Sequence, residues 1–169
     1  MAAEPLPGRL TRGAIGGLVS GMVFAGATMW FSSTMPNGKA EMPLHMIASI
    51  VQGGKEAIMA GQTSVGVGLA VHAALSIVFG VVFGLVTPML RTNGTVALVG
   101  TVYGGLIYVV NFLILSPLLF PVFGDANQPF ELFAHLVFGT LLSFSFYGSG
   151  VRRNEGFLAI GSAERAPAR

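Results

Sequence analysis

Cysteine is absent from the 169-residue chain. That excludes structural disulfides, thiolate metal sites, iron–sulfur ligation and haem attached through a Cys-x-x-Cys-His motif. Charge is scarce as well: 9% of residues are charged while 53% are hydrophobic, against roughly 25% charged in a soluble domain. No Ser-His-Asp arrangement, HExxH helix, phosphate-binding loop or usefully spaced carboxylate pair is present, so the sequence predicts no enzyme. The net charge of +2 does not point to nucleic acid, because the Lys and Arg residues are scattered over separate flanks rather than gathered in one stretch.

What is there is apolar sequence in long runs. A run of 18 or more residues reaches across the roughly 30 Å hydrocarbon core as a helix. Runs of that kind occupy residues 14–35, 64–90, 94–123 and 130–148. The expected fold is therefore all-α, a polytopic integral membrane protein with four transmembrane helices and one helical domain over 14–150. A polar lead (1–13) and a polar tail (151–169) flank it. Ala25-Gly26-Ala27 resembles a signal-peptide cleavage site, but the apolar run continues through Met29, Trp30 and Phe31. A retained first span is the expectation.

Arg9 and Arg12 precede the first run, Arg91 separates the second from the third, and Arg152, Arg153, Arg165 and Arg169 follow the fourth. Between the third and fourth runs there is no Lys or Arg, only Asp125 and Glu131. The positive-inside rule thus predicts a bacterial-type inner (plasma) membrane protein with both termini in the cytoplasm. The segment after the first run lies outside. Pro36-Asn37-Gly38 predicts a turn there. Residues 43–59 then predict an interfacial amphipathic helix, with Leu44, Ile47, Val51 and Ile58 on one face and His45, Ser49, Gln52 and Glu56 on the other. Gly53 and Gly54 are expected to interrupt it. This helix would form a lid over the outer ends of the bundle.

Small residues recur every fourth position: Gly13, Gly17, Gly21 and Ala25; then Gly68, Ser76, Gly80 and Gly84, with His72 in the same row; then Gly100 and Gly104; then Gly139 after His135. Residues four apart share a helix face. In lipid such seams let helices approach closely, where no hydrophobic effect drives association. The rows around His72 and His135 also suggest two related hairpins.

Ionisable residues inside spans are costly and are functional candidates. His72 is expected roughly 12 Å below the outer end of its helix and His135 roughly 8 Å below its own. With Asn111 and Glu131 they form a polar layer in the outer half. Three functions compete. The favoured one is a non-enzymatic accessory subunit of a larger inner-membrane complex, packing through the glycine seams against other membrane subunits or copies of itself. The second is cofactor binding: haem between His72 and His135, or copper at His45, Met42, Met46 and Met35. The third is a small oligomeric transporter or proton path through Glu131 and His135, continued inward by Ser76, Ser143, Ser145 and Tyr147.

Overall fold

The computed structural model describes residues 4–150, which form helices joined by turns; no strand occurs among the described residues. Helix α1 spans Leu6–Thr34, α2 Met42–Gln52, α3 Gly54–Met59 and α4 Val65–Val86. Helix α5 spans Asn93–Tyr108, continues as a π-helical segment at Val109–Leu115, and ends in the short α6, Ser116–Leu119. A 3-10 turn at Pro121–Asp125 leads to α7, Gln128–Phe144. Three stretches are long and apolar enough to cross a membrane: Leu6–Thr34, Val65–Met89 and Asn93–Leu119. The fourth apolar run forms α7, which at 17 residues is roughly 26 Å long.

Local chemistry sets the ends. Thr92 caps α5 by accepting from the Thr95 amide at 3.1 Å, and the Thr95 hydroxyl returns the contact to the Thr92 amide, a reciprocal capping box. Asn127 caps α7 through the Phe130 amide at 3.1 Å, with Pro129 in the first turn, where a missing N–H costs nothing. Gly53 ends α2 with φ 104°, a left-handed conformation that suits glycine. Helix α1 begins at Leu6, well before the apolar run at residue 14, with Pro7 in its first turn, where a missing N–H costs nothing. The 151–169 tail lies outside the described residues.

The glycine rows meet each other. A Cβ on Gly13 would strike the Gly80 carbonyl oxygen, and one on Gly80 the Gly13 carbonyl oxygen. Gly17 faces the Ser76 carbonyl, and Gly21 faces the Ser76 and His72 side chains. This seam joins α1 and α4 antiparallel. A second seam joins α5 and α7: Gly100 against Gly139 and Ser143, Gly104 against the His135 carbonyl. Gly16 meets Leu142 of α7 and Ser145 just past its end, so α1 lies between α4 and α7. Gly68 belongs to neither seam, since it takes the Leu44 carbonyl of α2.

The two hairpins share this architecture, but their register differs from an alignment of the histidines. Gly13 opposite Gly80 and Gly17 opposite Ser76 correspond to Gly100 opposite Gly139 and Gly104 opposite His135. His135 thus stands where Ser76 does, one turn from the place of His72. Backbone contact, rather than the polar residue, fixes the register.

Helix α2 also departs from expectation. Its buried residues are Leu44, Ala48 and Ser49, while Val51 is 62% exposed. The hole at Gly68 decides which face docks, and Ser49 tolerates burial by donating to the Met46 carbonyl at 2.7 Å.

Helices α4 and α5 are held together by large side chains. Tyr103 Oη donates to the Phe79 carbonyl at 2.8 Å, and Phe83, Val96, Ile107, Phe138, Leu142 and Phe146 form the core between the hairpins. Gly139→Ala would put a Cβ 2.9 Å from the Gly104 Cα, so we expect a loss of about 1–3 kcal/mol. Gly26, exposed and with nothing near its missing Cβ, should accept alanine without loss. Thermal unfolding in detergent compares the two; equal effects would refute the seam as the stabilising contact.

Candidate functional site: a cavity lined by two histidines

Where the seams end, the bundle opens. A cavity of about 420 Å³ lies between α2, α4, the π-helical segment and α7. Phe24, Phe79, Ile107 and Phe138 line its deeper part, and Ile47, Ile50, Val51, Phe120 and Phe123 its outer part. Almost all of its surface is apolar, and its polar points are His72, Asn111, His135 and the buried Ser76. Its size lies within the ~300–1,000 Å³ of small-molecule pockets, which combine apolar walls with a few placed polar groups.

The π-helical segment makes one wall. Pro117 lacks an N–H and its ring would collide with the carbonyl four residues before it. The chain widens instead: the Ser116 amide donates to the Asn111 carbonyl, and Phe120 to the Leu115 carbonyl at 3.2 Å. This widening carries half-buried Asn111 to the cavity. Such insertions recur at functional sites.

Each imidazole is fixed by one nitrogen. His72 Nε2 lies 2.8 Å from the Gly21 carbonyl oxygen across the α1–α4 seam. His135 Nδ1 lies 2.7 Å from the Glu131 carbonyl oxygen one turn earlier on α7. Phe24 contacts both rings, with centroids 5.7 Å from His72 and 4.8 Å from His135. Tyr108 and Phe112 complete an aromatic enclosure around His135.

The sequence-predicted residues divide accordingly. His72, His135 and Asn111 come together at one cavity. Glu131 stands beside it, its Oε2 4.0 Å from His135 Nδ1, but that nitrogen already serves the Glu131 main chain. The inward hydroxyls turn onto their own helices: Ser76 donates to the His72 carbonyl at 2.8 Å and Ser143 to the Thr140 carbonyl at 2.6 Å. For haem, the space touching both imidazoles is held by Phe24. Of the copper candidates, His45 Nδ1 is 2.9 Å from Thr63 Oγ1. Met35 caps α1, Met42 opens α2, both exposed, and Met46 follows on α2. Among the described residues no three His, Asp or Glu side chains come together as a metal site.

Sequence reasoning did not find Phe24, Phe112 or Tyr108, since an aromatic residue in an apolar span carries no signal of its own. It also missed the Thr101–Thr140 hydroxyl pair, 2.7 Å apart across the α5–α7 seam, although two threonines in apolar helices were visible. Compared with protein-family models, curated proteins and solved structures, the chain matches none.

The two histidine bonds predict different costs. His72 ties α4 to α1, whereas His135 bonds within α7. We expect His72→Leu to lower stability by about 0.6–1.7 kcal/mol through the lost interhelical bond, and His135→Leu to lose no interhelical bond. Unfolding in detergent reads the difference; a larger loss for His135→Leu would contradict it.

Proposed function

We propose that the protein is a non-enzymatic, four-span membrane protein that reversibly binds a small lipid-soluble molecule in the cavity between its two hairpins. The observation that carries this reading is the cavity itself, apolar except where His72, Ser76, Asn111 and His135 meet it.

Four crossings are supported by the course of α7 along α1. Phe130 stacks on Phe31 at 3.8 Å near one end, and Ser145 accepts from Arg12 at 3.3 Å near the other. Helix α7 thus runs beside α1 from the level of residue 31 to that of residue 12. Arg9, Arg12 and Arg91 share one end of the bundle. Lys55 and Asp125 pair at 2.7 Å at the opposite end. The positive-inside rule assigns the arginine end, with both termini, to the cytoplasm of a bacterial-type inner membrane.

An accessory-subunit role has less to stand on. The glycine seams are filled within the chain, so a partner span would meet large residues such as Leu98, Val102, Leu106, Val110 and Leu113. Lipid meets such a surface equally well.

Because the chain has no cysteine, single introduced cysteines report topology cleanly. Thr11→Cys and Asn154→Cys should react with an impermeant maleimide from one side, and Asn37→Cys and Gly124→Cys from the other. Labelling of Asn154→Cys on the Gly124 side would end the four-span assignment. For the cavity, organic extracts of the purified protein should be enriched in a discrete lipid-soluble compound that is depleted in Val71→Trp, which fills the wall. Identical extracts from the two proteins would end the binding proposal.

A further inference from the structure

The hydrogen bonds that fix the two histidines also fix their tautomers. A backbone carbonyl oxygen only accepts. His72 therefore carries its proton on Nε2, which donates to Gly21, and His135 carries its proton on Nδ1, which donates to Glu131. In each neutral ring the second nitrogen, Nδ1 of His72 and Nε2 of His135, is then an acceptor. Neither has a hydrogen bond among the described residues. His135 is 6% exposed, and both rings line the cavity, so a molecule bound there can reach them.

Of the polar side chains at the cavity, none donates to either nitrogen, and Asn111 alone has an uncommitted N–H. The Ser76 hydroxyl is turned to the His72 carbonyl, and the Tyr108 hydroxyl donates to Gln128 Oε1 at 3.1 Å. The Asn111 side chain has no hydrogen bond among the described residues and presents both an N–H and a carbonyl. The remaining walls are Phe, Ile, Leu, Val and Ala.

From this geometry we infer that the ligand is a lipid-soluble alcohol or phenol, a molecule whose hydroxyl donates to a histidine ring nitrogen while its apolar body fills the cavity. The inference rests on the binding function proposed above and specifies its chemistry. A hydroxyl gives the imidazole nitrogen the proton it lacks, and its oxygen can accept from the Asn111 amide. A ketone, quinone or ether could accept from the Asn111 amide but has no hydrogen to give, so both ring nitrogens would stay unserved. A carboxylate would add a negative charge to a cavity without a cation. The choice follows from tautomers that α1 and α7 impose, so it belongs to the fold and not to the free side chains.

The test compares molecules that differ in the hydroxyl alone. Full-length protein in lipid nanodiscs is titrated calorimetrically with para-octylphenol and with its methyl ether, using Val71→Trp nanodiscs as the blank for partition into lipid. The phenol should bind at least about fivefold more tightly than the ether, the worth of one hydrogen bond. His135→Leu and Asn111→Leu should shrink that ratio while leaving the ether's affinity in place. Equal affinities for the two compounds above the blank would overturn the hydroxyl assignment and leave the cavity as a binding site. No heat above the blank from either compound would overturn the binding function and this inference together. The ligand comparison is made on the unaltered chain, and protein-free nanodiscs of the same lipid give a second blank, so the outcome does not depend on any variant folding.

Discussion

Backbone-to-backbone contact across two glycine seams is the constraint from which the remaining structure follows. In lipid, burying Leu against Leu gains nothing over leaving it among acyl chains, so cohesion comes from close packing and from polar contacts that lipid cannot replace. Gly13, Gly17 and Gly80 bring α1 and α4 together until carbonyl oxygens stand where side chains would be, and Gly100, Gly104 and Gly139 do the same for α5 and α7. The large apolar residues are thereby left pointing outward, as Leu98, Leu106 and Leu113 are. A soluble protein would read these as defects. Here they are the surface that lipid covers.

The cavity follows from what the seams do not join. Each seam makes a tight pair, but the facing sides of α4 and α5 carry Phe79, Phe83 and Tyr103 instead of glycines. Aromatic rings hold the pairs apart as struts, and Tyr103 pins the spacing by its bond to the Phe79 carbonyl. Toward the other end the struts give out while α2, docked on Gly68 through its own backbone, closes over the gap. The result is one dry, filled half around Phe83 and Phe146 and one hollow half under α2. Tight packing and an open cavity are thus products of the same distribution of small and large residues.

That distribution was legible in the sequence where its signal was periodic. The seams, the Pro36-Asn37-Gly38 turn and the break at Gly53 all came from local chemistry or four-residue spacing, and Asn111 was placed with the histidines in one polar layer. The docking face of α2 was not legible, because amphipathic periodicity identifies two faces without saying which meets a hole at Gly68. The π-helical segment was hidden in an apolar run whose only mark was Pro117. The cavity was hidden altogether, since its walls are Phe24, Phe79, Phe112 and Phe138, indistinguishable in sequence from core. The histidines were found but placed in equivalent positions, an alignment that the carbonyl contacts at Ser76 and His135 replace with one a turn apart.

Why histidine, and not the serine or threonine that these helices also contain, has a physical answer. A hydroxyl in a membrane helix rotates back to a carbonyl three or four residues earlier, as Ser76 and Ser143 do, and its proton is then spent within its own helix. An imidazole cannot do this with both nitrogens, because the ring is rigid and its nitrogens diverge. Fixing one nitrogen on a carbonyl leaves the other as an acceptor of known direction and known protonation. Histidine is therefore a side chain whose hydrogen-bonding capacity a membrane helix cannot fully absorb. Placing two of them at a largely apolar cavity, one held by the neighbouring helix and one by its own, leaves two ring nitrogens as acceptors there.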